Sequence, residues 1–167
     1  MASQARIDSN KWIKRNTKDI KGDVLSIGAM GDFDCEGGNY RDYFKNARSY
    51  TTSDSEPFMG LDIILDVRSM PTEEDGKYDC IFCSGVLEHV DDYMQGMREM
   101  TRILKSGGTI LLGLPFRQAI HSAPQDFWRF TRYGIEYMLK DYNLVEMQEI
   151  DSIDDFPATY WVKAIKK

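Results

Sequence analysis

The segment HSAPQDFWRFT, residues 121–131, contains side chains able to do chemistry on a bound molecule. The imidazole of His121 is suited to accept a proton near neutral pH, and Asp126 can orient it or act as a base itself. The guanidinium of Arg129 can hold a carboxylate or phosphate with two hydrogen bonds, and Trp128 can stack on a sugar or ring. We predict that His121, Asp126 and Arg129 are catalytic. The alternative is that Trp128 and Phe130 belong to the core and that Asp126 and Arg129 form a structural ion pair.

A glycine-rich turn, GAMGDFDCEGGNYR, follows the first apolar run of the chain, DVLSIG at 23–28. Glycine lets the backbone approach a ligand closely and exposes N–H groups. Counted from Gly28, the G-x-G-x-x-G dinucleotide fingerprint fails at Met30 and Phe33, and no Gly-Lys-Ser/Thr is present for a phosphate-binding loop. The turn therefore indicates a binding loop without naming its ligand.

Carboxylates stand at the ends of the next two predicted strands, Asp54 after Ser49–Asp54 and Asp66 within Leu61–Val67. At the first position a carboxylate can accept hydrogen bonds from both hydroxyls of an adenosine ribose. At the second it can accept a hydrogen bond from the amino group of adenine. Each residue alone is typical of a turn. Placed after consecutive strands, the two together favour a nucleoside site.

Strand-like and helix-like segments alternate along the chain. A polar lead-in helix is predicted over about 7–21, and a short helix at YRDYFKNA capped by Asn39. A helix over 91–105 should start at Asp91 or Asp92 and end before Gly107, and another should start at Thr131. The remaining predicted strands are Tyr78–Ser84, Thr109–Pro115, 143–150 and 158–165, of which the last two alternate in polarity and can pair as an antiparallel hairpin.

This alternation predicts an α/β fold: a Rossmann-like, doubly wound sheet of about seven mostly parallel strands with a C-terminal antiparallel hairpin. Residues 1–167 are predicted to form a single domain, which suits a 19.3 kDa chain. Ligands of such sheets bind beyond the carboxyl ends of the strands. The glycine turn, both carboxylates and segment 121–131 all follow strands.

Cys80 and Cys83 form a C-x-x-C within the strand YDCIFC, with Cys35 elsewhere and only two histidines in the chain. Because their odd spacing on a strand points the two thiols to opposite faces, they cannot share a metal ion. The sequence predicts ordinary buried cysteines and no metal site.

The charge balance argues against a nucleic-acid partner. The net charge is −6, and 21 basic residues are scattered among 27 acidic ones, whereas phosphate binding requires clustered Lys and Arg. No apolar run approaches the roughly 20 residues that span a bilayer, and no apolar signal segment opens the chain. We therefore expect a cytoplasmic location and no membrane partner; the sequence leaves the oligomeric state open.

The stretch 78–116, YDCIFCSGVLEHVDDYMQGMREMTRILKSGGTILLGLPF, resembles the class I S-adenosylmethionine-dependent methyltransferases. It is similar to their fourth strand, Leu-Glu-His-Val turn, following helix, Gly-Gly turn and fifth strand. Segment 121–131 is similar to a subgroup of short methyltransferases with His-x-x-Pro-x-Asp-x-Trp-Arg-Phe-Thr. The resemblance spans about 22–166. Acidic and glycine residues of the family are replaced here by Ser26, Met30 and Asp32.

The resemblance implies S-adenosylmethionine as the cofactor and assigns a part of it to each strand end. Gly28, Ala29 and Met30 would line the methionine portion, and Asp54 the ribose. Asp66 and Val67 would line the adenine, and Ser84 and Gly85 would face the cofactor after the fourth strand. Glu88 and His89, in the next turn, have a structural interpretation as a helix-start acid and a packed imidazole.

The predicted function is direct methyl transfer to a small-molecule acceptor, such as a sugar or another metabolite. The fourth strand lacks the Asn/Asp-Pro-Pro-Tyr of nucleic-acid amino-methylating enzymes. Two alternatives stay open: a non-catalytic module that has lost the cofactor, which Met30 and Asp32 motivate, and a nicotinamide-dependent oxidoreductase, which the glycine spacing disfavours.

Overall fold

The computed structural model describes residues 3–57 and 59–167. Its helices are α1 Gln4–Thr17, α2 Tyr93–Ile103 and α3 Arg132–Met138. Its strands are β1 Gly22–Ile27, β2 Ala47–Asp54, β3 Ile63–Ile64, β4 Tyr78–Ser84, β5 Leu104–Pro115, β6 Tyr142–Ile150 and β7 Thr159–Lys166. Short 3-10 turns cover Tyr40–Tyr43, Thr72–Glu74 and Leu87–His89. No helix within the described residues has the length and apolar character needed to cross a membrane.

The strands form one sheet in the order β3-β2-β1-β4-β5-β7-β6. Strands β1 to β5 run parallel, and β7 pairs antiparallel with both β5 and β6. The predicted fold class and the C-terminal antiparallel pair are confirmed. The strand order reverses between β1 and β4, which is where a sheet of this kind binds its ligands.

Both faces of the sheet are covered by apolar side chains. On one face Leu25 and Ile81 pack under α2 and α3, through residues such as Met100 and Ile135. On the other face Trp12 of α1 stacks on Trp161 of β7, with ring centroids 5.3 Å apart, over side chains of β1, β4 and β5. Burial on both faces explains why β1 and β4 are near-continuous apolar runs.

The predicted cysteine arrangement is confirmed. Cys80 packs in the cluster beneath α1, whereas Cys83 packs in the cluster beneath α2 and α3. Both are free and buried, and burial raises the pKa of each thiol well above its ordinary value. Cys35 is free and exposed.

Several predicted boundaries are wrong. Helix α1 lies three to four residues nearer the start of the chain than 7–21. The predicted helix YRDYFKNA is only the 3-10 turn Tyr40–Tyr43, and the Asn39 side chain does not cap it. The third strand is two residues long, because the chain leaves β2 after Ile64 and closes a turn from Asp66 to Ser69.

The predicted end of α2 is also wrong. Asp92, one of the two residues predicted as the cap, caps the start of the helix, and its side chain accepts from the backbone N–H of Gln95. The helix then passes into β5 at Leu104, whose side chain is fully buried, so Gly107 lies within the strand and not beyond a helix. Residues 105–108 form a bulge, since Tyr78 pairs with Leu104 while Cys80 pairs with Thr109. Thr131 caps α3 as predicted, accepting from the N–H of Gly134.

Candidate functional site

The turn after β1 is fixed by a close backbone approach at Gly28. Its φ of +71° lies in the left-handed region, and a Cβ at this position would stand 2.2 Å from Cγ2 of Val86. The N–H of Ala29 then donates to the carbonyl of Ser53 on β2, at 3.0 Å. Ala29 thus anchors the turn through its backbone, while the side chain of Met30 is 67% exposed.

Two buried carboxylates hold the loop that follows. Asp32 accepts from the N–H of Arg41 at 2.9 Å and from the hydroxyl of Tyr50 at 2.8 Å. Burial raises the pKa of Asp32 above its ordinary value. Its carboxylate is therefore turned into the loop, and the replacement of a family glycine by Asp32 leaves the ligand side of the turn open.

Asp34 holds the far side of the same loop. Its carboxylate accepts from the N–H groups of Glu36 and Gly38, at 2.7 and 2.9 Å, and from the hydroxyl of Tyr43 at 2.7 Å. The residue is 3% exposed. The paired aspartates at 32 and 34 were the sequence signal for this arrangement, and the focus on glycine spacing missed it.

A cleft of about 650 Å³ opens beyond the carboxyl ends of the strands, and we call it the first cleft. Its size is typical of a small-molecule site. Among the predicted cofactor residues, the first cleft is lined by Gly28, Met30, Asp54, Asp66, Val67 and Gly85. Ala29 does not line it, and Ser84 lines a neighbouring cleft instead.

The two strand-end carboxylates of the first cleft have different surroundings. One oxygen of Asp54 accepts from the N–H of Ser55 at 2.8 Å, which fixes the carboxylate at the end of β2. Asp66 forms an ion pair with Arg68 at 2.8 Å, and Arg68 also binds Asp91 at 2.9 Å. Hydrogen bonds from Arg68 hold the pKa of Asp66 below its ordinary value, so Asp66 faces the cleft as an anion.

A second cleft of about 510 Å³ lies on the other side of the turn. Helix α1 contributes Arg6, β7 contributes Trp161, and the segment after β5 contributes Gln118 and His121. The indole Nε1 of Trp161 is buried and has no hydrogen-bond partner among the described residues. Four residues line both clefts and mark their junction: Gly28, Met30, Gly85 and His89.

The structure brings Asp126 and Arg129 together, but turned away from both clefts. Two guanidinium nitrogens of Arg129 donate to the two oxygens of Asp126, at 2.7 and 2.8 Å. The other donors of Arg129 bind the carbonyl oxygens of Gln118, Ala119 and Trp128. The Asp126 side chain is 1% exposed, and Arg129 holds its pKa well below the ordinary range. Because every donor of Arg129 is used internally, the predicted anion clamp on a ligand is not formed in this structure.

Asp126 instead braces His121. Its Oδ2 accepts from the backbone N–H of His121 at 2.8 Å and lies 3.4 Å from the imidazole Nδ1. Trp128 is 39% exposed but lines neither cleft: its Nε1 donates to the carbonyl of Val90 at 2.8 Å, and its ring meets Tyr93 edge-on at 5.3 Å. Of the predicted catalytic residues, His121 alone lines a cleft.

The segment after β5 docks on the 3-10 turn Leu87–His89. The N–H groups of Phe127 and Trp128 donate to the carbonyl of Glu88, at 2.8 and 3.2 Å. This contact sets the ring of His121 edge-on to that of His89, with centroids 4.8 Å apart. Glu88 completes the group, since one ligand-capable atom from each of the three residues lies within 4.8 Å of the others.

Glu88 is an unusual member of this cluster. The residue is 2% exposed, and burial raises the pKa of its carboxyl above the ordinary value. One of its oxygens lies 3.9 Å from Nε2 of His89. The other is buried without a hydrogen-bond partner among the described residues. The sequence interpretation of Glu88 and His89 as purely structural missed this cluster, because His121 joins it from 32 residues further along the chain.

Comparison with known proteins finds similarity in sequence and in fold. Residues 37–112 match the family described as "Methyltransferase domain". The structure resembles the N-methyltransferase NodS from Bradyrhizobium japonicum WM9, solved with S-adenosyl-L-homocysteine, with a TM-score of 0.72 and 14% identity over 98% of this chain and 88% of that one.

The fold is that of a methyltransferase. A second neighbour with this fold is the 1,6-didemethyltoxoflavin-N1-methyltransferase of Burkholderia thailandensis, solved with 1,6-didemethyltoxoflavin and S-adenosylhomocysteine. Its TM-score is 0.72, with 16% identity over 98% of this chain and 79% of that one. In sequence, 74 residues, 44% of the chain, are 32% identical to the ubiquinone biosynthesis O-methyltransferase of Bordetella avium (strain 197N). The matches span only 14–28% of the length of the curated relatives.

Proposed function

We propose that this methyltransferase fold transfers a methyl group from S-adenosylmethionine, bound in the first cleft, to a small polar molecule in the second. The observation that carries the proposal is the junction of the two clefts at Gly28, Met30, Gly85 and His89. A donor and an acceptor in separate clefts can meet in line only where the clefts join. The family match and the neighbours solved with S-adenosylhomocysteine support the choice of cofactor.

The first cleft fits the cofactor by its size and by the position of its polar groups. Asp54 has one oxygen held by its own turn, which leaves the other to accept the ribose hydroxyls. Asp66 and the buried Val67 would border the adenine. Gly28 and Met30 lie at the junction and would border the methionine portion. When bound, the cofactor supplies a methyl group on sulfonium sulfur, a leaving group that needs no further activation.

The chain then has two tasks: to hold the acceptor in line and to manage its proton. Positioning can supply about 7–11 kcal/mol of barrier reduction. The second cleft offers hydrogen-bonding side chains for a polar acceptor, including Gln118 and Arg6. His121 is the predicted proton acceptor, which contributes about 10²–10⁴-fold where the acceptor is a hydroxyl. Asp126 and Arg129 act in this proposal as positioning residues for His121.

The experiment is a calorimetric titration with S-adenosylhomocysteine. Asp54→Ala removes a charge-assisted contact of about 1.5–3 kcal/mol, so affinity should fall about 10- to 150-fold. Asp141→Ala is the matched control, since Asp141 is exposed and precedes β6 at the opposite edge of the sheet. Wild-type protein that binds no S-adenosylhomocysteine would refute the proposed function. Equal binding by wild type and Asp54→Ala would remove Asp54 from the site.

A further inference from the structure

The side chains of Glu88, His89 and His121 offer two imidazoles and one carboxylate to a common point. All three line the second cleft, and His89 also lines the first. Glu88 and His89 come from the turn after β4, and His121 from the segment after β5. Their ligand-capable atoms lie within 4.8 Å of one another. Around a zinc-sized ion, with bonds of about 2.0–2.2 Å, such atoms stand about 3–3.5 Å apart, so small side-chain rotations would close the set.

Oxygen atoms near the Nδ1 atom of each imidazole orient the two rings. Nδ1 of His89 is hydrogen-bonded to the carbonyl oxygen of Gln125. Nδ1 of His121 contacts the carbonyl oxygen of Ala119 at 3.1 Å and lies 3.4 Å from a carboxylate oxygen of Asp126. Because these partners are acceptors, each Nδ1 carries the hydrogen and each Nε2 is left with a free lone pair. Metal-binding histidines are typically held in this way by carbonyl or carboxylate oxygens.

The carboxylate of Glu88 is a second, independent indication that a ligand binds at this cluster. Its side chain is 3% exposed, and one of its oxygens is buried without a hydrogen-bond partner among the described residues. A buried carboxylate oxygen left without a partner is costly, and a cation is one group that removes this cost. Arg129, the nearby guanidinium, is fully engaged with Asp126 and three carbonyl oxygens, so it does not neutralise Glu88 by direct contact.

We propose that Glu88, His89 and His121 bind one divalent transition-metal ion, of the zinc or manganese class, at the junction of the two clefts. Two nitrogens and one oxygen favour these ions over magnesium, which prefers oxygen ligands. Three protein ligands also leave open positions on the ion, as in catalytic sites.

The role of the ion rests on the proposed function. An acceptor hydroxyl bound at an open position becomes more acidic, and its proton passes to solvent water. The oxygen then attacks the methyl carbon, the carbon–sulfur bond breaks, and its electron pair stays on sulfur. No oxidant or reductant takes part. With the ion bound, His121 is a ligand and not the general base, and the substrate class becomes one with a metal-binding hydroxyl.

The test uses metal-free, untagged protein titrated with Co²⁺, whose visible absorption reports nitrogen and oxygen ligands, followed by displacement with Zn²⁺. One site per chain is expected. Glu88→Gln and His121→Gln should each weaken binding at least tenfold and change the absorption band. His121 is the safer position, since its side chain is 36% exposed and its loss should not unfold the protein. Cys35→Ser is the control for binding at the exposed thiol.

Absence of a bound ion in the wild type, or binding that is unchanged in both variants, would overturn the metal site. Loss of binding in Cys35→Ser would overturn it as well. The S-adenosylhomocysteine titration is read separately on the same samples. Metal binding without S-adenosylhomocysteine binding would refute the proposed function and leave the metal site standing, whereas the reverse result would refute the metal site alone.

Discussion

Substitution of Gly28 by alanine tests the close approach that shapes the junction of the two clefts. A left-handed backbone costs a residue with a Cβ about 1–2 kcal/mol. The added Cβ would also stand 2.2 Å from Cγ2 of Val86, and overpacking of this kind costs about 1–3 kcal/mol more. We expect Gly28→Ala to lower the free energy of unfolding by about 2–5 kcal/mol in total.

Gly107 provides a matched control for the backbone part of this cost. Its φ is +73° against +71° for Gly28, and a Cβ there would meet nothing within 4 Å. Gly107→Ala should therefore lose only about 1–2 kcal/mol. Both values are obtained from urea unfolding, with the slope checked for constancy. The change in the unfolded chain is the same for both substitutions and cancels in the comparison.

A double-mutant cycle with Val86→Ala isolates the steric part. Trimming Val86 should destabilise the wild type but cost less, or even stabilise, in the Gly28→Ala background. The reasoning is refuted if Gly28→Ala loses no more stability than Gly107→Ala, or if the two substitutions at 28 and 86 are additive.

Two further predictions concern side chains outside the first cleft. Arg129→Ala and Arg129→Lys should both lower the melting temperature and leave S-adenosylhomocysteine affinity within about twofold, because lysine lacks the planar fork that serves Asp126; full rescue by lysine would contradict this brace. Ellman's reagent should modify Cys35 alone in native protein and all three thiols in denaturant, because Cys80 and Cys83 are buried with raised pKa values; rapid native reaction of more than one thiol would contradict the strand assignment.

Local signals predicted the central elements well. Strand β4 was predicted with its observed ends, Tyr78 and Ser84, because an apolar run lies between polar and glycine residues. The caps at Asp92 and Thr131 depend only on the next three residues, so they too were readable. The end of α2 was predicted wrongly from Gly107. The helix ends earlier because Leu104 is buried in the sheet and begins β5, and this burial depends on residues far away in the sequence.

At the site, too, the features set by local sequence were predicted and those set by long-range contacts were not. Asp54 and Asp66 were placed correctly at one edge of the sheet, because parallel strands bring their carboxyl ends together. The partners of Asp126 and Glu88 were not predictable in this way. Arg129 can bind a ligand or a neighbour, and only the folded loop decides that its five donors are used internally. The cluster around Glu88 joins the turn after β4 to the segment after β5, and no local sequence pattern specifies how these two segments pack together.

The loop held by Asp32 and Asp34 has a consequence for the thermodynamics of ligand binding. Five hydrogen bonds to these two carboxylates order the loop within the protein itself. A loop with the family's glycines in place of Met30 and Asp32 would lose more of its conformational freedom only when a ligand arrives, which weakens binding. Here that entropy is lost once, during folding. The departure from the family's glycine pattern thus predicts a preorganised loop beside the clefts. The shape of this loop should be nearly the same in the free and the bound protein.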